Sequence, residues 1–246
     1  DTYNLSGALE FSENISSVGT QPIIGTQILF KYKDFFGTIP LIAKDNVGYK
    51  NIIELSSKSY LDNTDISNPH CKFEDLLNKS TGIIVLSGSI KCLIGNLFNK
   101  GLFDEINDII SKLSKNFKDN FYLEIQRHND LNEKEFENFN LNISKKFDLP
   151  IIATHEVYYL DQNMFEAHDA LMCIGGKLYV NDTNRLKLSD QHYFKSSESM
   201  IELFKDLPEA LENNYNLPYR CSFRPLQSKP ILPSINKNNI NTNQLI

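Results

Sequence analysis

The fold of this chain is indicated most clearly by residues 150–158, which read PIIATHEVY. The short apolar run at the start of this stretch predicts a buried strand. The polar residues His155 and Glu156 then follow the strand where it leaves the core, which is the edge at which α/β enzymes hold their functional groups. The same pattern recurs in residues 121–128, which read FYLEIQRH, and in residues 82–89, which read GIIVLSGS. Several strands are therefore expected to bring polar side chains to one rim.

Helical patterns separate these strand candidates. Apolar residues recur at helical spacing over residues 103–117, and less regularly over residues 133–147. Strands that alternate with helices of this length are typical of parallel sheets joined by right-handed crossovers. This pattern favours an α/β barrel over an open sheet. Beyond residue 165 the pattern changes to helices and loops, which predicts a helical carboxy-terminal extension.

Length and composition favour one large α/β domain. The chain has 246 residues and a formal net charge of −6 at pH 7. A chain of this length buries a core without disulfides or structural metals, and its negative charge disfavours direct binding of nucleic acid. The four cysteines are widely spaced and form no Cys-x-x-Cys pair. We therefore predict free thiols in a cytoplasmic protein, and no apolar run approaches the roughly 20 residues needed to cross a bilayer.

The sequence predicts a boundary at about residue 225. Residues 1–224 are expected to form the α/β domain with its helical extension. Three prolines interrupt residues 225–233 and an asparagine-rich tail follows, so residues 225–246 are predicted to be a linker toward a further domain. Because the chain opens on Asp1 rather than methionine, and its tail carries no helix-terminating signal, we expect a fragment of a longer protein.

Several short strings resemble those of one family. Residues 1–11 read DTYNLSGALEF and residues 21–25 read QPIIG, which is similar to the opening of the PHP (polymerase and histidinol phosphatase) domain of bacterial DNA polymerase III alpha subunits. Further strings match the same family in the same order, and they are LIAK at residues 41–44, YLEIQRH at residues 122–128 and LFKDLPEAL at residues 203–211. The shared order over nearly the whole chain makes the resemblance specific.

The resemblance implies a PHP-type distorted (βα) barrel, incomplete at its amino terminus, that contributes to DNA replication. In this family the full-length parent is a DNA-directed DNA polymerase, a nucleotidyltransferase whose magnesium-binding carboxylates lie in later domains. The fragment alone is expected to be inactive, with no catalytic residue. Its expected role is a platform for the polymerase core of the same chain and for other replisome subunits, such as the proofreading exonuclease subunit. DNA would be reached only through the parent polymerase, and no membrane partner is expected.

Hydrolytic members of this family hold a metal cluster at the barrel rim, and this sequence keeps only part of the ligand pattern. The resemblance assigns Asp1, His128 and Glu156 as the remaining ligands. Gln27 stands where the family has a glutamate and Tyr158 where it has a histidine, and an amide is a poor metal ligand. We therefore expect a vestigial site without a complete cluster, at which any residual metal would be zinc or manganese.

Simpler interpretations of the same residues stay open. His128 is either a ligand or a solvated residue of the rim, whereas His155 is interpreted as a hydrogen-bond partner in a loop and His192 as structural. Three glutamates at alternate positions are interpreted as a solvated helix face, namely Glu133, Glu135 and Glu137. The alternative function for the chain is a free-standing, metal-dependent phosphoesterase similar to histidinol phosphatases, which would need an intact metal cluster.

Overall fold

The computed structural model describes residues 2–63 and 68–229. In this part of the chain a β-sheet packs against α-helices, and the main apolar core is formed by side chains from both. The strands are β1 (Gly25–Tyr32), β2 (Phe35–Ala43), β3 (Cys71–Lys72), β4 (Ile83–Leu86), β5 (Phe121–Ile125) and β6 (Ile151–Ala153). The helices are α1 (Ala8–Ser17), α2 (Asn46–Leu61), α3 (Phe73–Asn78), α4 (Leu93–Asn99), α5 (Phe103–Phe117), α6 (Glu133–Phe147), α7 (Phe165–Gly176), α8 (Ser197–Leu203) and α9 (Pro208–Asn216).

The strands form one mixed sheet in the order β3-β1-β2-β4-β5-β6. Strands β4, β5 and β6 are parallel, as predicted, and α5 and α6 lie in the connections between them. The observed fold class is therefore mixed α/β. Among the described residues the strand order begins at β3 and ends at β6, so the sheet does not confirm the predicted barrel.

The first two strands do not follow the parallel pattern that was predicted for β4, β5 and β6. Strand β1 pairs with β2 in antiparallel orientation, and β2 pairs with β4 in the same way. Only Lys33 and Asp34 connect β1 to β2, and Lys33 adopts a left-handed conformation with φ of 52°. A parallel pair needs a crossover of about a dozen residues or more, so this connection allows only a hairpin.

Strands β4, β5 and β6 are buried on both faces. Every residue of these strands is buried, which is why β4 and β6 appear in the sequence as continuous apolar runs, whereas β5 also buries Glu124. Helix α5 covers one face and has the predicted bounds, as does α6. The buried side of α5 carries the residues whose spacing predicted it, and these are Ile106, Ile109, Ile110 and Leu113.

The helical extension covers the end of the sheet at β6. In α9, the side-chain amide of Asn213 donates to the carbonyl of Ile151 at 2.8 Å, and Asn214 donates to the carbonyl of Ala153. These bonds satisfy carbonyl groups that an edge strand would otherwise leave unpaired.

The chain then returns to the amino-terminal part of the domain. The hydroxyl of Ser12 in α1 donates to the carbonyl of Pro225 at 2.8 Å. Residues 230–246 of the predicted linker, together with Asp1, lie outside the described residues. No helix in the described part of the chain combines the length and the apolar character that crossing a membrane requires.

A glycine at the start of α2 tests how tightly this helix packs. A Cβ atom at Gly48 would lie 1.7 Å from the carbonyl oxygen of Gly82, which is backbone and has little room to move. We expect Gly48→Ala to lower the free energy of unfolding by about 1–3 kcal/mol or more. The matched control is Gly175→Ala in α7, where a Cβ meets no atom within 4 Å.

The control is expected to raise the free energy of unfolding slightly, because alanine favours a helix over glycine by up to about 1 kcal/mol. Urea denaturation of the two variants measures both effects. Equal free energies of unfolding for the two variants would contradict the packing described for Gly48.

Candidate metal centre

Polar side chains meet at the ends of β4, β5 and β6, as the sequence predicts. The hydroxyl of Ser87, after β4, accepts a hydrogen bond at 2.8 Å from the backbone N–H of Glu124 in β5. The amide of Gln126, after β5, donates to the hydroxyl oxygen of Thr154, after β6, at 3.1 Å. These contacts hold the three strand ends in one rim.

A buried carboxyl group lies in this rim. Glu124 is 5% exposed, and its Oε1 accepts hydrogen bonds from the Thr154 hydroxyl and from the Gln126 amide. Its Oε2 is buried and has no hydrogen-bond partner among the described residues. Burial raises the pKa of Glu124, and this effect outweighs the donors that favour the ionised form.

His128 follows β5 and is buried, so the interpretation as a solvated rim residue is wrong. It is 1% exposed. Its backbone N–H donates to Glu133 at 2.7 Å, and its ring Nδ1 lies 3.2 Å from the other carboxylate oxygen of Glu133. Its Nε2 lies 3.1 Å from the backbone nitrogen of Glu156. Because that N–H is a donor, Nε2 accepts, and Nδ1 carries the proton that faces Glu133.

Three imidazole rings stack at this point. His155 lies on one side of His128, with ring centroids 4.5 Å apart, and His192 lies 4.1 Å away and almost parallel. His155 is a hydrogen-bond partner in a loop, as predicted, since its Nε2 lies 2.9 Å from the carbonyl of Tyr193. Burial, and secondarily the neighbouring His128, lower the pKa of His155 to about 4. The stack joins the ends of β5 and β6 to the loop that precedes α8.

His192 and Asp130 lie together at one edge of this stack. The Nδ1 of His192 lies 3.1 Å from the carbonyl oxygen of Glu156, and its Nε2 lies 3.8 Å from Oδ2 of Asp130. The Lys91 ammonium lies 2.6 Å from the same Asp130 oxygen. Burial opposes ionisation of Asp130, but the Lys91 ammonium at its carboxylate favours the ionised form, and the pKa of Asp130 lies below its ordinary value.

His128, Asp130 and His192 form a group that can hold a metal ion. Each offers one ligand atom, and these atoms lie within 4.8 Å of one another. Imidazole and carboxylate are ligand types that zinc and manganese accept in proteins. Asp130 and His192 were not predicted as ligands. The spacing of His128 and Asp130, two residues apart, was a signal in the sequence, whereas nothing local connects either residue to His192.

The ligands predicted from the resemblance are only partly brought together. His128 and Glu156 are neighbours, but their contact is made by the backbone of Glu156. The Glu156 carboxylate interacts instead with Tyr158, and burial together with this carboxylate raises the pKa of the Tyr158 phenol. Asp1 lies outside the described residues. The set Asp1, His128 and Glu156 therefore stays a prediction.

The acidic series on α6 is not a solvated face, because only Glu135 is exposed. Glu137 is 4% exposed and accepts hydrogen bonds of 2.8 and 2.9 Å from the guanidinium of Arg127. Arg127 also donates to Asp206 at 2.7 and 2.8 Å. Glu133 holds the backbone and ring of His128, as described above. Two of the three carboxylates therefore position the residues that follow β5.

Comparison with known proteins shows which family and which relatives this chain is similar to. A family model described as PHP domain matches residues 1–128. The DNA polymerase III subunit alpha of Rickettsia bellii is 36% identical over 100% of this chain and 21% of that protein, and that of Caulobacter vibrioides is 35% identical over 95% and 21%. The protein of the same name from Vibrio cholerae is 33% identical over 95% of this chain and 20% of that protein. The chain spans about a fifth of the length of these relatives.

Arg127 provides a test of how the rim is held. We expect Arg127→Met to lower the free energy of unfolding by about 3 kcal/mol, because Glu137 then stays buried without its main partner. Lys134, which lies 2.9 Å from Glu137, compensates only in part. Lys205→Met is the control, because its ion pair with Glu202 is exposed and is worth less than about 1 kcal/mol. Chemical denaturation measures both, and a loss in the control as large as that of Arg127→Met would contradict this role.

The raised pKa of Glu124 predicts that the stability of the folded state depends on pH. Its pKa is raised in the folded state, so the protein binds a proton there more tightly when folded than when unfolded. The folded state therefore loses stability as the pH rises through the ordinary pKa of glutamate toward the raised one. We expect Glu124→Gln to remove this loss, so the melting temperature of the variant minus that of the wild type should be larger at pH 7.5 than at pH 4.5. A difference that is independent of pH would contradict the raised pKa.

Proposed function

This chain belongs to the PHP domain family, and from this premise we propose that it is a structural platform within a replicative DNA polymerase alpha subunit. Relatives named DNA polymerase III subunit alpha align with 95–100% of this chain at 32–37% identity, which is the observation that carries the proposal. DNA-directed nucleotidyl transfer is proposed for the full-length protein that contains this chain, with its magnesium-binding carboxylates outside the aligned region.

The chemistry of the rim supports a structural role rather than hydrolysis. A hydrolytic metal centre keeps an open position for the water that it activates. Here the N–H of Glu156 occupies Nε2 of His128 and Lys91 lies against Asp130, so these residues are not preorganised around a metal-bound water. We propose that Asp1, His128 and Glu156 are the remnant of the family's metal site. Because Gln27 and Tyr158 replace two further ligands of the family pattern, a complete cluster does not fit this chain.

We also propose that the complete domain is the distorted (βα) barrel of the family. The parallel strands β4, β5 and β6 gather polar groups at their carboxyl ends, as barrel strands do. Thr2 forms a parallel bridge with Gln27, so extended chain pairs with β1 before the two residues of β1 that pair with β3.

The partners and the cellular location proposed for this chain follow from the same role. We propose a cytoplasmic protein whose surface carries the polymerase core of the same chain and other replisome subunits, such as a proofreading exonuclease subunit. The net charge of −6 supports contact with DNA through the parent polymerase rather than through this domain.

Primer extension by the full-length protein tests the platform role. We expect Glu156→Gln to leave the extension rate within about twofold of the wild type, since a platform needs no metal chemistry from this carboxylate. Arg127→Met should reduce extension in parallel with its loss of thermal stability. Loss of extension in Glu156→Gln with an unchanged melting temperature would overturn the proposal.

The second candidate function is a metal-dependent phosphoesterase. The observation that favours it is the group His128, Asp130 and His192, which could hold the metal ion. Hydrolysis of a phosphodiester and of a phosphomonoester, with manganese or zinc added, tests it. We expect no turnover that a chelator removes. Chelator-sensitive turnover that is lost in His192→Gln would favour this second function.

A further inference from the structure

The Nε2 atom of His192 is a buried nitrogen that lacks a hydrogen-bond partner in the described part of the chain. The side chain is completely buried. Its Nδ1 faces a carbonyl oxygen, which accepts but does not donate, so Nδ1 carries the proton and Nε2 has a free lone pair. This lone pair lies 3.8 Å from an oxygen of Asp130. Two electron-rich atoms that face each other in a buried pocket favour a cation between them.

A cation from the protein already contacts this pocket. The Lys91 ammonium lies 2.6 Å from Oδ2 of Asp130, while the lysine side chain is 40% exposed and that of Asp130 is 13% exposed. The exposed lysine can therefore leave without any movement of the core, whereas Asp130 stays with its negative charge beside His192. Lys91 neutralises Asp130 but leaves Nε2 of His192 without a hydrogen-bond partner among the described residues.

We propose that this pocket binds one divalent transition-metal ion, with His192 and Asp130 as its first two ligands, and that the ion exchanges with Lys91 at Asp130. His128 becomes the third ligand when its Nε2 exchanges the N–H of Glu156 for the ion. The three ligand atoms lie within 4.8 Å of one another. This set shares only His128 with the ligands that the family resemblance assigns. The inference rests on these contacts alone and does not depend on the proposed platform role.

Zinc fits this set of ligands best. It accepts imidazole nitrogen and carboxylate oxygen, and because this set supplies three protein ligands, a water molecule would complete the tetrahedral coordination. The second nitrogen of a metal-binding histidine is usually held by a carbonyl or carboxylate group, and the Glu156 carbonyl holds His192 in this way. The rings of His128 and His192 lie within 3° of parallel, so their in-plane lone pairs do not meet at one point. We therefore expect one ring to turn out of the stack when both bind.

The ion would link two separate parts of the domain. His128 and Asp130 follow β5, whereas His192 lies in the loop before α8, more than 60 residues later. A ligand that binds only the folded state raises the stability of that state. Zinc binding is therefore expected to raise the melting temperature.

Metal titration of the chain, and of the full-length protein, tests the proposal. Equilibrium dialysis with zinc is expected to give one ion per chain, and cobalt is expected to give the visible absorption of a tetrahedral site. Lys91→Met should bind zinc roughly two- to tenfold more tightly, because the competing ammonium is gone. His192→Gln should lose stoichiometric binding and the rise in melting temperature, and Asp130→Asn gives the same comparison if the first variant does not fold.

The matched control is His168→Gln, since His168 lies on α7, contacts Tyr158 and Tyr159, and is outside the proposed ligand set. It should bind zinc like the wild type. Circular dichroism confirms that each variant is folded. Absence of stoichiometric binding in both the wild type and Lys91→Met would mean that a proton on His192 faces Asp130, and would overturn the proposal. Binding retained in folded His192→Gln would also overturn it, and neither result changes the outcome of the primer-extension test.

Discussion

The paired hydrogen bonds of Arg127 are the interaction on which the rest of this rim depends. One guanidinium contacts Glu137 in α6 and Asp206 after α8, and it also donates to the carbonyl of Leu203 at 2.6 Å. Its charge lies 4.8 Å from the centre of the buried Phe204 ring. The end of β5 is thereby joined to the helical extension by strong charge-assisted bonds. Because Arg127 is fixed, the next residue, His128, is held in place as well.

Arg127 and His128 are neighbours in the segment after β5, but their side chains contact different parts of the domain. Arg127 joins the strand end to α6 and to the extension, whereas His128 enters a stack of three imidazoles beside Glu133 and the backbone of Glu156. Glu133 and Glu137 lie one helical turn apart on α6, so a single helix supports both residues. Side chains that could bind a metal ion therefore also join β5 to α6 and to the helical extension.

The group His128, Asp130 and His192 gathers side chains of the types that bind cations. The Tyr158 phenol contacts the Glu156 carboxylate, while Asp130 and His192 place a carboxylate and an imidazole near His128. Lys91 supplies a positive charge at the same oxygen of Asp130. The carboxylate of Asp130 and the imidazole of His192 therefore lie next to the positive charge of Lys91.

The sequence by itself determined the local elements and the family of this protein. Strands β4 to β6 and helices α5 and α6 lie where their apolar patterns predicted them. The spacing of apolar residues along the chain shows whether one face of a helix or a whole strand is buried. The hairpin of β1 and β2 was missed although the short connection indicated it. Only the tertiary structure decided that Glu137 is buried and that His192 meets Asp130. Local spacing reports which side of an element is buried, but it carries no information about the distant residue that covers that side.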